Sequence, residues 1–240
     1  MSVIGISEAL QSTLNLDSPP IALAFVQEVP TSLPLVSQPA PSACSLWRRA
    51  EREVFFAPAE AHFNCPIGSM TMGFEMPAEV EGKLMELVTT MVDQKYLDED
   101  EPKHIPSVPG KKSGIVYGPL DQFPLAPDLA LVWASPAQAM ILEEALGETQ
   151  WNDVPGVPAL GRPACAALPL ALQESRSTIS LGCMGMRTLT GVDDSRLLVV
   201  LPGSLLDEEM LNSLENTRSA NRHMFSFYQE HKALFPVFNG

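Results

Sequence analysis

The chain has 240 residues, enough for one large domain or two small ones, and its 45% apolar content is ample for a buried core. Fifteen basic against 29 acidic residues leave a formal charge of −14, which repels a phosphate backbone and argues against nucleic acid as a partner. No window approaches the roughly 20 apolar residues of a spanning helix, and the N-terminus lacks the basic-then-apolar pattern of a secretory signal, so the sequence points to a cytoplasmic protein with no membrane partner.

Ile6, Leu10 and Leu14 space an N-terminal helix over Ile6 to Leu16, which Asp17-Ser18-Pro19-Pro20 breaks. Ile21 to Val26 then reads as a buried strand, and the proline-rich stretch from Pro30 to Pro41 as loop. Ser42 is placed to cap a helix running to about Arg52, with Cys44 in its first turn. Val54 to Ala57 is a short strand, after which Ala61-His62-Phe63-Asn64 delivers Cys65 to a turn with Pro66 at a helix start. Leu84 to Val92 is amphipathic. From Asp98 to Pro127 the chain is acidic, then rich in proline and glycine, with one strand at Ile115 to Tyr117.

Leu129 to Trp133 opens a second half. Ser135-Pro136-Ala137-Gln138 is a compact helix-start signature, predicting a helix to about Leu146 that stops at Gly147. Trp151 to Pro163 reads as loop, Cys165 to Leu168 as strand, and Thr178 to Leu181 as a strand ending on Gly182-Cys183. Leu197 to Leu201 is a strand and Leu205 to Thr217 a helix. The stretch from Asn221 to Phe235, ended by Pro236, carries Phe225, Tyr228 and Phe235 at helical spacing, suited to core or to a homodimer contact.

The chain also echoes itself. P-I-A-L-A-F from Pro20 and P-D-L-A-L-V-W from Pro127 each lead to a cysteine in a small-residue turn, Cys65 or Cys183, with Gly73 and Gly191 eight positions further on. Cys44 and Cys165 stand 21 and 18 residues before those two. The simplest reading is a degenerate duplication: an α/β (α+β) fold of two βαβ-like halves packed as one compact pseudo-symmetric unit. Residues 1–97 would form the first half, 98–126 a linker with one strand, 127–220 the second half and 221–240 a C-terminal helix. If the helix after Ser42 is matched with the one after Ser135, however, Cys44 and Cys165 fall on different elements and only Cys65 and Cys183 are counterparts.

Cytoplasmic thiols stay reduced, so the cysteines suggest a metal site, a nucleophile or plain burial rather than disulfides. Four thiolates, Cys44, Cys65, Cys165 and Cys183, suit an iron–sulfur cluster of the four-iron type, with zinc or copper(I) as alternatives. Gly68, Gly182 and Gly185 allow tight turns whose N–H groups can bond cluster sulfurs or bound anions. Met70, Met72, Met76, Met184 and Met186 crowd the two turns, as soft ligands or as packing. The enzyme alternative makes Cys65 or Cys183 a nucleophile at a helix start, with Arg187 binding a small anionic substrate and His62 as a base or ligand. The third reading is a non-catalytic scaffold with buried cysteines. Gly110-Lys111-Lys112-Ser113 fails as a phosphate loop because Ile105 stands where a glycine is required. The acidic run Asp98 to Glu101, like Asp193-Asp194, reads as solvated loop.

Several segments together resemble a known family, the prokaryotic proteins catalogued as domain of unknown function 169. They are Phe63-Asn64-Cys65-Pro66-Ile67-Gly68 with Gly73-Phe74, Tyr117-Gly118-Pro119-Leu120, Pro127-Asp128, Gly161-Arg162-Pro163-Ala164-Cys165 and Leu181-Gly182-Cys183-Met184-Gly185-Met186-Arg187. The resemblance implies recurrent cysteines at positions like these four, and no catalytic residues. It shifts weight toward a shared metal or redox role, with a redox partner or a small anionic ligand as the expected partner.

Overall fold

The computed structural model describes residues 3–153 and 162–232. Helix α1 (Val3–Leu14) turns Ile6, Leu10 and Leu14 inward, and β1 (Ile21–Val26) follows the proline break. Helix α2 (Ala43–Ala50) starts where the Ser42 hydroxyl accepts the Ser45 N–H at 3.1 Å. Next come β2 (Phe55–Pro58), α3 (Pro66–Thr71) with Cys65 as its N-cap and Pro66 at its first position, α4 (Ala78–Asp93) and β3 (Gly114–Pro119). In the second part, β4 (Leu129–Ala134) leads into α5 (Pro136–Leu146). Its capping box is reciprocal: Ser135 Oγ accepts from Gln138 N–H at 3.3 Å and Gln138 Oε1 from Ser135 N–H at 2.7 Å. Left-handed Gly147, at φ 73°, ends it. Then follow β5 (Gln150–Trp151), a 3-10 turn at Ala164–Ala166, α6 (Ala167–Glu174), β6 (Thr178–Ser180), α7 (Met184–Thr190) with Cys183 as N-cap, β7 (Leu197–Pro202) and α8 (Glu208–Glu230).

Two expectations are corrected. Cys165 to Leu168 is helical, not a strand. The run Ala164-Cys165-Ala166-Ala167-Leu168 has no β-branched residue, alanine and leucine favour helix, and Pro169 sits in the first turn of α6, where its missing N–H costs nothing. The helices expected at Leu205–Thr217 and from Asn221 onward are one helix, α8, because no glycine or proline interrupts it between the Asp207 cap and Glu230. Phe225 and Tyr228 on its far end are exposed. Of the loop expected over Trp151 to Pro163, Trp151 belongs to β5 and residues 154–161, with Gly161 of the quoted Gly161-Arg162-Pro163 run, lie outside the described residues, as do Phe235 and Pro236.

The strands form one mixed sheet in the order β2-β3-β1-β4-β7-β6-β5. Neighbours are antiparallel except β5 and β6. β1 and β2 both run opposite to β3 between them, and β4 and β6 opposite to β7, so each set is a split βαβ arrangement. The segment expected as a linker, 98–126, contains β3, whose residues are all buried between β1 and β2.

The registers on the two sides of the β1–β4 pair run in step. Ile21 faces Pro119 and Leu129 faces Pro202; Phe55 faces Tyr117 and Thr178 faces Val200. Leu35 bridges Phe56 in parallel on one edge, as Trp151 pairs with Ile179 on the other. Leu120 N–H donates to the Pro20 carbonyl and Gly203 N–H to the Asp128 carbonyl, each at 2.8 Å.

Because strand side chains alternate, the sheet has two apolar faces. Ala22, Phe56, Val116, Ala130, Val199 and Leu201 meet α1, α5 and α8. Leu23, Phe55, Tyr117, Leu131, Trp133 and Val200 meet α2, α6 and the cysteine turns. His62 belongs to this second core. Its Nδ1 lies 3.0 Å from the Pro58 carbonyl and therefore carries the proton, leaving Nε2 to accept from the Tyr117 hydroxyl at 3.0 Å.

Burial lowers the His62 pKa from 6.5 to about 4. The folded state keeps the ring neutral while the unfolded chain protonates it below pH 6.5. Its contribution is therefore intact above that pH and is lost as pH falls toward about 4, to a maximum of about 3 kcal/mol. Denaturant midpoints measured between pH 7 and pH 4.5 should fall for the native chain and fall less for His62→Gln, which starts lower. Equal slopes for the two proteins would assign the acid sensitivity to other groups.

Candidate cysteine-lined site

All four cysteines of the chain line one cavity of about 280 Å³ on the second face of the sheet. They are free thiols. Cys44 in the first turn of α2 and Cys165 in the turn before α6 are buried, at 5% and 4% exposure, whereas Cys65 and Cys183, the N-caps of α3 and α7, are half-buried. The site thus has an inner and an outer pair, and each pair takes one cysteine from each side of the β1–β4 junction. Local sequence sets the positions. Cys65 N–H donates to the His62 carbonyl at 2.9 Å, and its own carbonyl accepts Ser69 N–H at 2.9 Å to start α3. Left-handed Gly182, at φ 85°, turns β6 into Cys183, whose carbonyl accepts Arg187 N–H at 3.0 Å.

Burial pushes the Cys44 thiol well above its ordinary range, and the nearby Cys165, Cys183 and Cys65 push it further. Burial likewise raises Cys165, with Cys65 adding to the shift and the adjacent Thr71 hydroxyl opposing it. Both inner thiols are therefore protonated at neutral pH.

The other proposed site residues take different places. Gly185 and Met186 line the cavity. Gly68 sits behind it, where a Cβ would come within 2.7 Å of Ala43 Cβ and 3.0 Å of Cys65 Sγ, so glycine permits α3 to approach the start of α2. A Cβ on Gly182 would collide with Met186 at 2.3 Å. Arg187 is engaged by backbone: Nη2 donates to the Leu181 and Arg196 carbonyls at 2.6 and 3.2 Å, and Nη1 to the Asp193 carbonyl at 3.4 Å, fastening the loop after α7. His62 faces Pro58 and Tyr117 and does not line the cavity. Of the five methionines near the two turns, only Met186 lines it, and Met184 is exposed.

The structure adds residues that the sequence reading missed. Arg162 lines the cavity and makes a two-pronged pair with Glu101, Nη2 lying 3.0 and 2.9 Å from its carboxylate oxygens. Its Nη1 donates to the Tyr96 carbonyl, and its guanidinium stacks 4.5 Å from the Tyr96 ring. Glu101, expected in a solvated acidic run, is 3% exposed, because this pairing and the Asp98 N–H satisfy its oxygens. The available signal was the Arg162-Pro163 step three residues before Cys165. For Glu101 there was none.

Among the described residues, no three of His, Cys, Asp and Glu stand close enough to hold a single metal ion, and no helix is long and apolar enough to cross a membrane.

The chain belongs to the domain of unknown function 169 family, described as uncharacterised ArCR, whose family model matches residues 9–212. The match takes in the whole sheet, all four cysteines and the Arg162–Glu101 pair. No curated protein and no solved structure matches the chain.

The burial pattern sets an order of thiol reactivity. Alkylation of metal-free protein at pH 8, followed by peptide mass spectrometry, should modify Cys65 and Cys183 about tenfold or more faster than Cys44 and Cys165. A buried cysteine reacting first would contradict the inner and outer arrangement.

Proposed function

We propose that this protein is a cytoplasmic carrier of an iron–sulfur cluster of the four-iron type, held by Cys44, Cys65, Cys165 and Cys183, with a redox or small-molecule-binding role. The observation that carries the reading is the convergence of every cysteine in the chain, from four separate segments, on one apolar cavity. Thiolates are soft donors suited to iron–sulfur clusters, zinc and copper(I). Zinc, held by four thiolates at about 2.3 Å, and copper(I) are the metal alternatives. The strand registers running in step support a further reading, that the site lies near a local twofold between two related halves, with Cys44 equivalent to Cys165 and Cys65 to Cys183.

When bound, a cluster supplies one-electron transfer. The chain's own residues supply the rest: apolar walls keep water out, the inner thiols release their protons on binding, and the half-buried pair offers the shorter route to the surface. The thiol-enzyme alternative receives less support, because Arg187 is engaged by carbonyls and His62 is turned away from Cys65.

The deciding experiment is iron, acid-labile sulfide and a visible spectrum on protein purified without oxygen. Iron and sulfide in matching amounts, with a brown chromophore lost in Cys65→Ser and Cys183→Ser, are expected. Zinc or copper alone would replace the cluster with a different metal, and colourless, metal-free folded protein would sink the proposal.

A further inference from the structure

The cavity opens to solvent beside its outer cysteines. The lining residues that stand exposed are Pro41, Asn64, Gly185 and Leu189, and Cys65 and Cys183 adjoin two of them in the chain. Cys165 is buried, and the turn that carries it lies against a different wall: Ile105 packs on Ala166, and Arg162 is held by Glu101 and Tyr96.

That wall is the connection from α3 to β3, and its two ends are fastened at one point. Val108 N–H donates to the Thr71 carbonyl at 2.9 Å. Gly73, left-handed at φ 71°, passes so near that a Cβ would lie 2.0 Å from the Val108 carbonyl oxygen. Lys112 Nζ closes the clamp by donating to the carbonyls of Gly73, Val108 and Gly110 at 3.3, 3.0 and 2.7 Å. Phe74 and Val108 are buried there.

Between its ends the segment is thinly held. Of residues 75–107 only Val80 and Glu101 are buried, although α4 is apolar along one side. Leu87, Met91, Tyr96, Leu97 and Ile105 are half-buried and line the cavity. Two polar ties adjoin the clamp, Gln173 to the Ser107 carbonyl at 3.3 Å and the exposed Lys111–Glu75 pair at 3.5 Å. Away from it, among the described residues, the hydrogen bonds joining this segment to the rest of the fold are those of Arg162. A segment with few buried contacts opens at far lower cost than the whole fold, and a buried ion pair is strongly unfavourable to break from one side.

We infer that residues 75–107 form a hinged cover over the turn of Cys165, turning on the clamp at Gly73 and Val108 and latched by Arg162 to Glu101, and that the group held by the thiols enters and leaves when the cover opens. Such a cover serves a cluster, a single metal ion or any other occupant alike.

Hydrogen exchange and iodoacetamide labelling, both read by peptide mass spectrometry over a urea series below the unfolding transition, test this on the full chain, as purified for exchange and after chelation for labelling. Peptides of α4 and of residues 96–101 should exchange together, about a hundredfold or more faster than those of β1 and β4. Their urea dependence should be shallow, because the opening exposes little surface. Cys165 should label with the same shallow dependence. Glu101→Gln, which keeps the side chain's size and removes the charge that holds Arg162, should raise both rates about tenfold or more. If α4 follows the steep urea dependence of β1 and β4, the segment is part of the global unit and the inference is overturned. Cys165 labelling only along that steep dependence, or rates unmoved by Glu101→Gln, would overturn it equally. Should Glu101→Gln fail to fold, the urea series on the native chain decides by itself.

Discussion

The structure depends on the pairing of β1 with β4 at the centre of the sheet. Ala22 lies opposite Ala130, flanked by Ile21 against Leu131 and Leu23 against Leu129, and all of these are fully buried. The pairing brings together strands more than a hundred residues apart in the chain, a closure whose entropic cost grows only slowly with loop length. Asp128 fastens it from the end of β4: its N–H donates to the Leu23 carbonyl at 2.9 Å, its carboxylate accepts Phe25 N–H at 2.7 Å, and its carbonyl accepts Gly203 N–H at 2.8 Å. The last contact also explains Gly203, where a Cβ would lie 1.8 Å from the Pro127 carbonyl oxygen. Helix α5, which follows β4, covers the opposite face, whereas α2 and α3 after β1 and the segments of Cys165 and Cys183 after β5 and β6 lie on the same face and bring the cysteines toward one another. Trp47 of α2 against Trp133 of β4, with ring centroids 6.2 Å apart, ties the two sides beneath the site.

Much of the fold was legible because its signals are local. Ser42 and Ser135 mark helix starts by hydroxyl capping, Gly147 a helix end by its left-handed conformation, and Ile21–Val26 and Leu129–Ala134 are short apolar runs bounded by prolines or a capping serine. The segment at Cys165 failed because a short apolar run does not distinguish strand from buried helix by periodicity alone, and its alanine-rich composition decided for helix. The strand in the supposed linker illustrates a different limit. Ile115–Tyr117 was visible as a strand, but its place between β1 and β2 is a matter of long-range pairing, which composition does not encode.

The candidate site was legible in part for the same reason. Cysteines are few, and two of them follow strands into tight turns, so their spacing could be read. Arg162 and Glu101 could not be paired from sequence: they are 61 residues apart, and Glu101 sits in an acidic run whose ordinary fate is solvent. What removes Glu101 from that fate is a partner that arrives from the other side of the junction. The pair buries an ionic group, and such groups rarely add stability over an apolar replacement. The pair joins the wall contributed by the connection after α3 to the turn before Cys165.

Charge completes the argument. Four thiolates in an apolar cavity would repel one another, and the thiols of Cys44 and Cys165 respond by holding their protons. Arg162 does not relieve that repulsion, because Glu101 cancels it within the same wall. Arg187 is turned to backbone carbonyls. Among the described residues, the one arginine that lines the cavity is thus paired with Glu101, and the buried thiols remain neutral by holding their protons. A reactive thiolate is stabilised in the opposite way, by an adjacent base or cation. These wall electrostatics support the proposed metal-containing group over the thiol-enzyme alternative.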